Sequence, residues 1–181
     1  MRILIVFYLL FIGILALLAQ MILPAHFRIL SLIGFGSALI PLLVIYASLE
    51  LGDERAPVLA GLLGLMIDLL SSHHRLGVTV LMLSSLSALV VTQAAKAESH
   101  QWVFRFAYVL IGTFTYELMD YLFTLTETLS WHWPLEVWSK IAFSSLLNVL
   151  LCPLVFLTFG FLPRRFGWRP DHEIPERSYA R

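Results

Sequence analysis

Charge is scarce in this chain. Lys plus Arg and Asp plus Glu number 12 each in 181 residues, 13% of the total, against about 25% in soluble domains. The signs cancel to a net charge of zero, and no long Lys/Arg run occurs, so the electrostatic footprint of a nucleic-acid binder is missing. Cysteine is nearly absent as well. The single Cys152 excludes an intramolecular disulfide and any CxxC metal or redox pair. No GxSxG, HExxH, P-loop or dinucleotide fingerprint is found, so nothing points to an enzyme, a cofactor or a metal centre. What the chain has in excess is apolar surface: 59% hydrophobic residues and a mean hydropathy of +0.85. That composition predicts an all-α integral membrane protein.

A spanning helix needs about 20 mostly apolar residues. Stretches 3–23, 29–49, 57–72, 76–93, 103–125 and 141–162 meet or approach that length, which predicts a six-helix transmembrane bundle over residues 1–163 with a basic tail at 164–181. The first stretch is too long for a removable signal peptide, lacks a small-residue cleavage site, and is expected to stay as a span. Pro41 predicts a kink in the second. Pro57 marks the start of the third. Stretches three and four, joined by Ser71-Ser-His-His-Arg-Leu-Gly77, also fit a re-entrant hairpin.

Short loops rich in Lys and Arg stay in the cytoplasm. With the N-terminus inside, Arg2, Arg55, Lys96, Arg105, Arg164, Arg165, Arg169, Arg177 and Arg181 fall on the inner side, leaving Arg28, Arg75 and Lys140 outside. Both termini are therefore predicted cytoplasmic. Trp131, Trp133 and Trp138 in the outer loop, and Trp102 and Trp168 near the inner surface, fit interfacial anchors.

The few intramembrane polar residues carry the site prediction. Asp68 lies near the outer end of the third stretch. Thr113, Glu117, Asp120 and Thr124 recur at helical spacing on one face of the fifth, and Ser144, Asn148 and Cys152 do so on the sixth. Facing lipid would leave each unsatisfied, so Asp68, Glu117, Asp120 and Asn148 are predicted to converge as a buried polar layer in the outer half of the bundle. Arg75 is the nearest candidate counter-ion. The layer reads first as a structural anchor fixing helix register, with a ligand or proton site as the sharper alternative. Glu117 and Asp120, at i and i+3, lack the nucleophile and electrophile-stabilising group that catalysis needs.

Ala56, Ala60 and Gly64, spaced by four, form a small-residue seam that suits either helix packing inside the chain or a contact with a partner. His73 and His74 are adjacent, so their rings diverge by about 100° on a helix, unlike the i, i+4 pair of a metal site. With His26 and His132 they read as loop histidines at the outer surface.

The stretch "VLAGLLGLMIDLLSSHHRLGVTVLMLSSLSALVV" contains a Gly-Leu-Leu-x-x-x-x-Asp-Leu-Leu run, a short connector and Leu-Gly, and in this it resembles the rod shape-determining protein MreD family. The later "LLNVLLCPLVFLTFGFL", with Asn148 and Pro153, resembles that family's last span. Length, six apolar segments and no extramembrane domain extend the resemblance over nearly the whole chain. The histidine pair and the acidic pair of the fifth stretch have no match in it.

The resemblance implies a non-enzymatic scaffold subunit of the bacterial cell-elongation (rod) complex in the cytoplasmic (inner) membrane. Its implied partners are an MreC-like single-span protein and, through it, MreB, RodA and the elongation transpeptidase. Such an elongasome subunit would support peptidoglycan synthesis and cell shape, and the Ala56, Ala60 and Gly64 seam would be a docking face for the partner's span. The resemblance also implies a fold similar to the S component of energy-coupling-factor transporters. That fold supplies the alternative: a substrate-binding S component of a small-molecule, vitamin-type transporter. Against it, Ala16 and Ala19 do not make the Ala-x-x-x-Ala docking pattern usual on the first helix of such subunits.

Overall fold

The computed structural model describes residues 2–26, 35–70, 77–94, 102–128 and 135–165. Among them every regular element is a helix: α1 Arg2–His26, α2 Phe35–Leu51, α3 Arg55–Leu70, α4 Val78–Ala94, α5 Trp102–Thr128 and α6 Leu135–Arg165. The described residues thus form an all-α bundle of six helices. The predictions placed on the connector 71–76 with His73, His74 and Arg75, on 129–134 with Trp131, His132 and Trp133, on the side chain of His26, and on the tail from 166 with Trp168 lie outside the described residues.

The helices begin and end for local reasons. Gly52 adopts a left-handed φ of 62° and its N–H donates to the Ser48 carbonyl at 3.1 Å, the αL cap that a Cβ would disfavour. The next residue, Asp53, accepts the Arg55 N–H on Oδ1 at 3.1 Å and caps the start of α3. One helix therefore stops and the next starts within a few residues. Pro57 sits just inside α3, where few backbone donors are missed. The first turns of α6, ahead of the apolar run, carry Glu136, Ser139 and Lys140, all exposed. Hydropathy registers the apolar length of such a helix and not its polar ends.

Helix α2 is the axis of the bundle. Every residue from 40 to 50 is buried, including Pro41 inside the helix, and each of the other five helices packs against it. Around it the neighbours run α1, α3, α4, α5, α6, with α3·α4 the most extensive contact. An apolar helix without a polar face has to be enclosed in this way or left in an apolar solvent. At the end of the bundle where α2 stops, Tyr46 meets Phe156 edge-on at 5.0 Å. The Arg105 guanidinium lies 5.1 Å from the Phe156 ring and 5.5 Å from Trp102, so that charge is held over aromatic faces.

The outer surface is strongly apolar. Phe7, Phe11, Leu15, Leu18 and Ile22 form an exposed stripe on α1, Val58, Leu62, Leu65 and Leu69 another on α3, and Leu146, Leu150, Leu154 and Leu157 a third on α6. Among the described residues one helix, over Leu135–Phe159, is by length and composition long and apolar enough to cross a membrane, and Val6–Ala19, Leu39–Leu51 and Val78–Ala94 are shorter apolar helices. Helix α5 carries Arg105, Glu117 and Asp120 within its apolar run.

Candidate polar site

Asp68 ends up at the start of another helix. The Gly77 N–H donates to its Oδ2 at 2.7 Å. Gly77 has a φ of 98°, and its carbonyl accepts the Leu81 N–H at 3.0 Å, so it is the residue from which α4 begins. The Asp68 carboxyl thus lies against the positive end of the α4 dipole and satisfies a backbone donor that the helix itself cannot. Asp68 is buried, 3% exposed, and its Oδ1 makes no hydrogen bond among the described residues.

This contact needs α3 and α4 to approach closely. A Cβ built on Gly64 would lie 2.7 Å from the Val80 Cα and 2.8 Å from the Thr79 carbonyl oxygen, and one on Gly61 would meet Val80 at an ordinary 3.8 Å. Gly64 therefore sets the spacing of the hairpin. Ala56 and Ala60 are buried too, at 1% and 0%. Of the two uses the sequence leaves to this seam, packing within the chain is the one the geometry shows. The outward face of α3 consists of Val58, Leu62, Leu65 and Leu69.

Across the bundle, the Ser144 hydroxyl donates to Glu117 Oε1 at 3.1 Å, and both residues are buried. Because α5 and α6 are consecutive, paired helices, this contact sets their register and brings Thr113, one turn back on α5, level with Asn148, one turn on along α6. The Thr113 hydroxyl is already committed to the Val109 carbonyl at 2.6 Å. Asn148 is fully buried, and neither its Nδ2 nor its Oδ1 has a partner among the described residues.

The predicted layer therefore falls into two halves, Asp68 with Gly77 between α3 and α4, and Glu117, Ser144 and Asn148 between α5 and α6. The Tyr116 phenol lies in the neighbourhood of Asp120, Glu117 and Asp68. Asp120 is partly buried. Sequence reasoning passed over Tyr116, although its place beside Glu117 was a usable signal. It also passed over a second polar layer nearer the other end. Ser48 donates to the Val44 carbonyl and its oxygen lies 2.7 Å from Ser87 Oγ. With the Ser48 proton committed to Val44, Ser87 is the donor across α2 and α4. Glu50, also buried, follows on the same helix, just past the predicted span 29–49.

Among the described residues no group of three or more His, Cys, Asp or Glu is placed to hold a metal ion, and Cys152 is buried and free. The chemistry on offer is hydrogen bonding between helices. No family model matches the chain, and no curated protein or solved structure matches it either.

Proposed function

We propose that this chain is a non-enzymatic, multi-pass scaffold of the bacterial cytoplasmic membrane, similar to MreD, which helps hold an MreC-like single-span protein, MreB and the lateral-wall peptidoglycan synthases in one rod complex. Two lines support the membrane part. The composition is apolar and poor in charge, and α1, α3 and α6 each present an exposed apolar stripe, the kind of contiguous patch that marks a membrane or protein contact. A bundle with an apolar axis and an apolar exterior suits a bilayer on both counts.

The observation that carries the family reading is the Asp68–Gly77 hydrogen bond. The Gly-Leu-Leu-x-x-x-x-Asp-Leu-Leu run and the Leu-Gly after it are two pieces of one resemblance, and the bond makes them two halves of one device. The small residue Gly64 between them permits the approach that the bond requires. The role that follows is positional: a rigid hairpin in a polar-pinned bundle, offering its apolar outer faces to a partner's span.

A second reading, the substrate-binding subunit of a small-molecule transporter, draws on the orphan polar atoms of Asn148 and Asp68, since buried polar groups without partners can belong to a ligand site. A mild-detergent pull-down of the tagged protein from its native membranes, with bound proteins counted by mass spectrometry, separates the two. An MreC-like single-span protein with wall synthases is expected. Paired ATPases with a transmembrane coupling subunit would overturn the scaffold reading and make those polar groups the ligand site to test.

A further inference from the structure

Between α1 and α3 runs a groove of about 560 Å³, lined by Phe7 and Leu10 on one side and Val58 and Leu62 on the other, with Glu54 and Arg55 at the start of α3. Gly13 packs on Leu63, so the two helices run in step, and the apolar lining and the charges occupy successive levels of one trough. From Glu54 to Leu62 the rise along α3 is about 12 Å. That matches one leaflet of an about 30 Å hydrocarbon core and falls well short of the length along which a spanning helix would pack.

The charged end is dipolar. Arg55 meets Asp53 through Nε at 3.6 Å, and about half of its side chain is exposed, at 48%. Glu54 is exposed beside it. A guanidinium fork suits a phosphate and a carboxylate suits an ammonium. Together Asp53, Glu54 and Arg55 sum to one net negative charge, which disfavours a headgroup that is itself anionic.

The geometry points to a bound zwitterionic aminophospholipid of the inner leaflet, its acyl chain lying between Phe7 and Leu62, its phosphate on Arg55 and its ammonium on Glu54. This inference rests on the membrane reading proposed above. It identifies a lipid site along the α1 edge of the outward α3 face.

The test is native mass spectrometry of the full chain, purified from membranes in mild detergent, stripped of lipid, and offered an equimolar mixture of phosphatidylethanolamine and phosphatidylglycerol. One phosphatidylethanolamine per chain is expected to persist. Retention should fall about ten-fold or more in Arg55→Gln, the scale of one charge-assisted hydrogen bond, and in Leu62→Trp, which fills the groove from an exposed position. Glu54→Gln should shift preference towards phosphatidylglycerol, which a merely structural change would not do. Equal retention by all variants, preferential phosphatidylglycerol on the unaltered chain, or a second polypeptide in place of lipid would overturn the assignment. A membrane-extracted protein with no retained lipid would sink this site alone. Recovery of the chain from the soluble fraction without detergent would sink the membrane reading beneath it.

Discussion

Asp68 and Gly77 are nine residues apart in the chain and one 2.7 Å hydrogen bond apart in space, so a carboxyl on α3 supplies the cap that α4 lacks. Asp68→Ala removes the acceptor and leaves the partly buried Gly77 N–H without it, which is expected to cost about 1–2 kcal/mol. Asp68→Asn keeps an acceptor and loses only the charge facing the dipole, a change of about 1 kcal/mol or less. Thermal unfolding of the two variants in detergent checks the order. Equal losses would assign the position to charge and not to hydrogen bonding.

Gly64 and Gly61 make a matched pair. A methyl group at Gly64 meets α4 backbone at 2.7–2.8 Å, whereas at Gly61 it meets side-chain atoms at 3.8–4.0 Å. Gly64→Ala should therefore force the hairpin apart at about 1–3 kcal/mol. Gly61→Ala should be neutral or stabilising by up to about 1 kcal/mol through helix propensity. A denaturation midpoint for each variant is sufficient, and a well-tolerated Gly64→Ala would contradict the close approach.

Asn148 invites the opposite kind of substitution. With both amide atoms unpartnered among the described residues, Asn148→Leu relieves a desolvated polar group at similar volume and should raise stability or leave it unchanged. Loss of more than about 1 kcal/mol would mean that the amide holds something in the working protein, such as a buried water or a ligand.

Sidedness can be read with thiol reagents. Cys152 is fully buried and should resist a water-soluble maleimide until the protein is denatured. Exposed reporters at Glu54→Cys and Ser139→Cys lie at opposite ends of the bundle. On the proposed orientation the second reacts in intact cells and the first only after the inner surface is opened. The reverse pattern would invert the topology.

The six helices were legible because apolar runs of this length have few other readings. Which helix forms the axis was not legible. Where every face is apolar, periodicity does not distinguish a side that meets protein from one that meets solvent or lipid, so nothing in the run 29–49 singled out α2. Asp68 announced itself as a buried acid, but its partner was sought among side chains and turned out to be a backbone N–H, a donor that every non-proline residue carries and that no pattern marks. Tyr116 escaped because a count of apolar residue types includes its ring and overlooks its hydroxyl. The Ala56, Ala60 and Gly64 seam showed the need for a close neighbour without showing that the neighbour is the very next helix.

The central place of α2 constrains the order in which the molecule can be completed. A chain is made from its N-terminus, so α2 emerges second, yet four of its five walls, α3, α4, α5 and α6, are not synthesised until later. Ser48 waits for Ser87, and Tyr46 waits for Phe156, the last of these contacts to be made. Until then the helix that becomes the most secluded part of the protein is its most uncovered one. A nascent chain interrupted before α6 would present that bare axis, with Glu50 on it, to whatever surveys unfinished proteins.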